Sequence, residues 1–115
     1  MGLIDWMTKP QPGRREQLEA RVIDALRTVF DPEIPVNIYD LGLIYELEVA
    51  SDGVVAIRMT LTAPGCPVAH TFPGTVAQAV RAVDGVADVS VELVWEPPWS
   101  PALMTEAARL QLGML

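Results

Sequence analysis

The segment that most limits the fold of this chain runs from Met59 to Val80 and contains no Asp, Glu, Lys or Arg. Its length would suit a membrane span, but Pro64, Gly65, Pro67, Pro73 and Gly74 interrupt it. Proline removes a backbone donor and clashes with the turn before it, and lipid offers the freed groups no partner. The segment is therefore expected to be strand, turn and helix packed inside a soluble domain. Alternation on either side supports this. Tyr45, Leu47 and Val49 alternate with Glu46 and Glu48, and Val55, Ile57, Met59 and Leu61 alternate with Ala56, Arg58, Thr60 and Thr62. The turn signal Ser51-Asp52-Gly53 joins the two runs into a hairpin. Thr60 and Thr62 then fall on its polar face.

The flanking sequence completes an order α-β-β-α-β-α. Leu18, Val22, Ala25 and Val29 recur at helical spacing between Arg15 and Phe30, and Asp31-Pro32 is expected to end that helix. The stretch from Glu33 to Gly42 is too proline-rich for a regular element. A helix is expected from Pro67, with Val76, Ala79, Val80 and Val83 inward, a kink at Pro73-Gly74, and Gly85 as a left-handed cap. Val89, Val91, Leu93 and Trp95 alternate in a third strand, which a strand–helix–strand crossover makes parallel to the second. Trp95 is expected in the core, while Trp99 is left open between core and docking surface. Ser100 and Pro101 should start a last short helix through Leu103, Ala107 and Leu110 to Gly113. The fold class is α+β: one compact domain over 15–115, a small three-stranded mixed sheet with helices packed on it, preceded by a flexible arm over 1–14.

Charge and cysteine content narrow the function. The net charge is −7, and all six charged residues between Arg27 and Arg58 are acidic. That argues against a nucleic-acid phosphate binder, which needs clustered Lys and Arg. A single cysteine excludes an internal disulfide and fits a reducing cytoplasm. Met1 to Trp6 is too short an apolar stretch for a secretory signal, and Trp6 stands where a myristoylation signal wants Ser or Thr.

That cysteine, Cys66, sits in Thr60-Leu61-Thr62-Ala63-Pro64-Gly65-Cys66-Pro67. A thiol just before a helix beginning at Pro67 would meet unpaired N–H groups and the positive end of the dipole, which favour thiolate. Cys66 and His70 alone do not close a zinc site, and four thiolates for an iron–sulfur cluster are not available in a monomer. A symmetric dimer pairing two Cys66 thiolates would hold a cluster or iron loosely, which suits delivery. A nucleophilic role for Cys66 would need His70 as base, and this spacing is a weak signal; His70 reads better as a surface or packing residue. Asp31, Glu33 and Asp40, in the irregular loop, have two readings that stay open: turn formation, or carboxylates lining a site near the thiol.

Taken together, Asp31-Pro32-Glu33-Ile34-Pro35, Tyr39-Asp40-Leu41-Gly42-Leu43-Ile44-Tyr45, the Cys66 segment and Val91-Glu92-Leu93-Val94-Trp95-Glu96-Pro97-Pro98-Trp99-Ser100-Pro101 resemble SufT-like proteins. The resemblance runs from about residue 17 to 114 and extends to PaaD-like proteins and the eukaryotic cytosolic iron–sulfur targeting component. It implies a small α+β fold and an accessory, non-enzymatic role in maturing iron–sulfur proteins, with assembly machinery or client apo-proteins as partners and a homodimer as the assembly. It further implies Cys66 as the ligand to a transient iron–sulfur cluster, with Asp31, Glu33, Asp40 and Thr62 around it; Thr60 precedes it on the same strand. Ala63 stands where some relatives carry a second Thr. PaaD-like relatives extend into a cysteine-rich tail, absent from this sequence, which favours the SufT-like branch over an oxygenase accessory subunit. The segment holding Pro97, Pro98 and Trp99 is the candidate partner-binding surface, and it alone would carry the function of a metal-free adaptor.

Overall fold

The computed structural model describes residues 13–63, 69 and 71–114. Helix α1 spans Arg14–Leu26, strands β1 and β2 span Ile44–Val49 and Val54–Met59, helix α2 spans Phe72–Arg81, and strand β3 spans Asp88–Leu93. A 3-10 turn at Pro101–Leu103 and a short helix α3 at Glu106–Gln111 follow. The sheet order is β1-β2-β3, with β1 antiparallel and β3 parallel to the central strand. The α+β class, the element order and the mixed three-stranded sheet are those the sequence implies. No helix among the described residues is long and apolar enough to cross a membrane.

Both longer helices cover one face of the sheet. Leu18, Val22 and Leu26 of α1 and Phe72, Val76 and Val80 of α2 are buried with Val55, Ile57, Met59 and Val89. Strand side chains alternate in direction, so the other face carries Glu46, Glu48, Arg58 and Glu92, all exposed. Register aligns Glu46, Arg58 and Glu92 across the three strands, and Arg58 reaches both carboxylates, at 3.4 and 3.2 Å. At this exposure the pairs add little stability, but they fix where the guanidinium sits.

Four expectations change. First, α1 ends at Leu26, not at Asp31-Pro32. Thr28 turns its hydroxyl back to the Ala25 carbonyl at 2.6 Å, and Phe30 pairs with Asn37 in an isolated bridge. β-Branched and aromatic residues have weak helix propensity, so the extended pairing prevails. Arg14, assigned to the arm, is instead the first helical residue.

Second, α2 begins at Phe72, with Pro73 in its first turn and Thr71 as its capping residue. Pro73 thus opens the helix and produces no kink, consistent with its fixed φ and missing donor. The expected helix start at Pro67, and with it the dipole at Cys66, falls on residues 64–68, outside the described residues. Cys66, His70 and the arm through residue 12 lie outside the described residues.

Third, the alternation through Trp95 does not hold. The strand stops at Leu93, and Trp95 is 39% exposed. Fourth, the terminal helix is two pieces. Thr105 caps α3 by accepting from the Ala108 N–H at 3.2 Å, and the inward residues are Met104 and Ala108, with Leu110 exposed.

The irregular loop between α1 and β1 is itself core. Val36, Ile38, Leu41 and Leu43 are fully buried. At roughly 1.5–3 kcal/mol for each such side chain, an upper estimate, this burial holds the loop as firmly as a helix face would.

Candidate functional site

Asp31 anchors the start of that loop. Its Oδ2 accepts from the N–H groups of Glu33 and Ile34 at 2.9 and 2.8 Å, and it is buried. Asp40 anchors the end. Its Oδ2 accepts from Asn37 Nδ2 at 2.9 Å, its own N–H donates to Asn37 Oδ1 at 2.8 Å, and Oδ1 lies 3.7 Å from Arg27 Nε. The Arg27 guanidinium also rests over the Tyr39 ring, 4.9 Å from its centroid. Two of the three candidate carboxylates, Asp31 and Asp40, are therefore engaged in forming the loop's turns, while Glu33 points to solvent. Among the described residues no three of His, Cys, Asp and Glu converge on a position that would hold a metal ion.

The loop is clamped to the C-terminal segment. Trp99 donates its indole N–H to the Leu41 carbonyl at 2.7 Å, and the Thr105 N–H donates to the Asp40 carbonyl at 2.9 Å. Gly42 has φ +81°, and a Cβ there would run into the Leu103 carbonyl. Trp99 is thus half-buried and structural, while Trp95, expected in the core, is the more exposed indole.

This clamp brings together two groups that the sequence keeps apart. Thr60, Leu61 and Thr62 meet Trp95, Pro98 and Trp99 around a small hollow of about 130 Å³. Thr60 was expected on a polar face, yet it is only 1% exposed, because the Trp95–Trp99 segment covers that face. Its N–H donates to the Leu43 carbonyl at 2.9 Å, but its hydroxyl has no hydrogen-bond partner among the described residues. A buried hydroxyl without a partner carries a desolvation cost of about 1–3 kcal/mol. Thr62, half-buried, lies four residues before Cys66 in the sequence.

Pro97 falls on the other side of the same segment. With Ile44, Val94 and Leu103 it forms the apolar wall of a larger hollow of about 510 Å³, where Glu46, Arg58 and Glu96 supply the charge. A shift in register between Ile44 and Glu46 makes Tyr45 a bulge residue, which re-aims its side chain. Its hydroxyl donates to the Pro97 carbonyl at 2.7 Å. Burial raises the Tyr45 pKa above its ordinary value, and the Glu96 carboxylate adds to the rise. Sequence reasoning missed Tyr45, Arg58 and Glu96 here. The signal available was the like sign of Glu46, Glu92 and Glu96 near the proline pair.

Residues 19–93 match the family of iron–sulfur cluster assembly proteins. The chain belongs to that family. It is 50% identical over 99 residues to an Fe-S protein maturation auxiliary factor of Porphyromonas gingivalis, covering 86% of this chain and 94% of that one. It is 39% identical over 99 residues to the Bacillus subtilis Fe-S protein maturation auxiliary factor YitW, covering 86% and 97%. Among solved structures, a domain of unknown function from Bacillus anthracis superposes with a TM-score of 0.79 at 34% identity, covering 88% of this chain and 96% of that one.

Proposed function

We propose that this family member is an accessory factor for the maturation of iron–sulfur proteins, working without turnover of its own. It handles iron or a cluster as cargo through the Cys66 thiolate, in a transient site completed by a second copy or by the client's own ligands. The observation that carries this reading is the near full-length match, at 39–50% identity, to relatives named Fe-S protein maturation auxiliary factors. The single thiol of the chain supports Cys66 as the ligand, since sulfur is the donor suited to such cargo. The same reading places the protein in the cytoplasm, where thiols stay reduced. Asp31 and Asp40 contribute by fixing the loop that holds Trp99, and Thr60 and Thr62 lead into the thiol segment along the chain.

A deletion strain complemented with wild type or Cys66→Ser tests the role. Client iron–sulfur enzyme activity should be restored by wild type and remain at the deletion level with the variant. Restoration by Cys66→Ser would refute the thiolate. A second reading, a metal-free adaptor, is favoured by the exposed Trp95 beside Pro97 and Pro98. It predicts that Cys66→Ser is silent while Trp95→Ala is not.

A further inference from the structure

The segment Val94–Trp99 is a ridge between two hollows. Val94, Glu96 and Pro97 line the larger, and Trp95, Pro98 and Trp99 line the smaller. A volume of 510 Å³ with apolar walls lies within the range of specific binding pockets, and its far wall includes Leu103, itself 42% exposed. Its charge is unbalanced. Arg58 is the only cation among the lining residues and is already paired with Glu46 and Glu92, while Glu96 has no ion-pair partner among the described residues. Two carboxylates, Glu46 and Glu96, therefore line the hollow with one guanidinium that also pairs with Glu92 outside it, on a chain whose net charge is −7.

We propose that this ridge and the larger hollow beside it dock an extended, basic segment of the client polypeptide. Apolar side chains of the segment lie on Leu103, Pro97 and Val94. A Lys or Arg reaches Glu46 and Glu96, with its aliphatic stem along Pro97. A nucleic acid is excluded by the sign of the charge, and an acidic peptide by the same argument. The inference rests on the reading of this protein as a factor that meets clients. It concerns how they are held and makes no use of the metal.

The test uses the full-length protein without iron or sulfide. A fluorescein-labelled peptide of three Lys-Pro-Leu repeats, and its counterpart with Glu for Lys, are titrated by fluorescence anisotropy at near-physiological salt. The Lys peptide should bind and the Glu peptide should not. Glu46→Gln with Glu96→Gln should weaken binding about five-fold or more, the effect of two partly screened ion pairs. Leu103→Ser should weaken it comparably. Asp24→Asn with Asp84→Asn removes the same charge from the helix side and the far turn, and should change binding by less than about two-fold. Equal weakening by the two charge pairs would mean that only net charge is sensed and would overturn the site. No binding of the Lys peptide, or equal binding of the Glu peptide, would overturn it as well. Failure here leaves the Cys66 result standing, and failure of Cys66 leaves this binding result standing.

Discussion

Thr60→Val should make the protein more stable, although it removes a polar group from the centre of the candidate site. The side chain is 1% exposed, its hydroxyl has no partner among the described residues, and the backbone N–H bond to Leu43 is untouched by the change. Valine has the same branched shape and an equal preference for extended backbone. The substitution deletes a desolvation cost of about 1–3 kcal/mol and places a methyl group where an unpaired oxygen was. A gain of about 1–2 kcal/mol follows, which for a domain of this size raises the melting temperature by roughly 4–10 °C. Urea unfolding followed by circular dichroism, with calorimetry as a second probe, reads it directly; the denaturant slope should not change. A loss of 1 kcal/mol or more would refute the reasoning, since it would mean that the hydroxyl is hydrogen-bonded in the folded protein. If stability rises while client maturation falls, the hydroxyl is kept for a ligand at the expense of the fold.

Other substitutions probe the loop and its clamp. Gly42→Ala should cost at least about 2 kcal/mol, because the position is left-handed and a Cβ meets the Leu103 carbonyl; thermal unfolding measures it. Asp31→Ala should cost about 1–3 kcal/mol through two orphaned loop N–H groups, whereas Glu33→Ala should stay within about 0.5 kcal/mol, as paired denaturation curves would show. The raised Tyr45 pKa gives a signed pH dependence. Its contribution is fully present below the unfolded tyrosine pKa, about 10, and is lost as pH rises through the higher folded value. Tyr45→Phe should flatten that alkaline loss in stability measured from neutral pH upward, and Glu96→Gln should shift the Tyr45 absorbance titration downward.

The sequence carried the elements whose partners are near in the chain. The hairpin was legible because alternation and a turn at Ser51-Asp52-Gly53 agree, and Gly53 has the positive φ such a turn favours. The parallel third strand followed from the handed crossover and the cap at Gly85, also at positive φ. What escaped was set by distant contacts. Val36, Ile38 and Leu41 are buried without a period because a loop, not a helix, delivers them. Thr60 continues the polar alternation of β2, but a segment more than thirty residues later covers it. Trp95 continues the apolar alternation of β3, yet the strand has ended and Trp99 takes the structural bond to Leu41. Of the candidate site, the sequence named Thr60, Thr62, Pro98 and Trp99 in two separate roles; their meeting around one hollow is tertiary. Asp31 and Asp40 were recognisable as chemistry-bearing residues, but only the loop geometry showed their carboxylates bound to backbone and Asn37.

Anaerobic reconstitution with iron and sulfide, comparing wild type with Cys66→Ser by visible absorption and native mass spectrometry, tests the central claim most directly. The account predicts a chromophore in the wild type, carried by a complex bridging two thiolates, and its loss in the variant. An identical chromophore in both proteins, or none in the wild type, would contradict the assignment of cargo handling to the Cys66 thiolate.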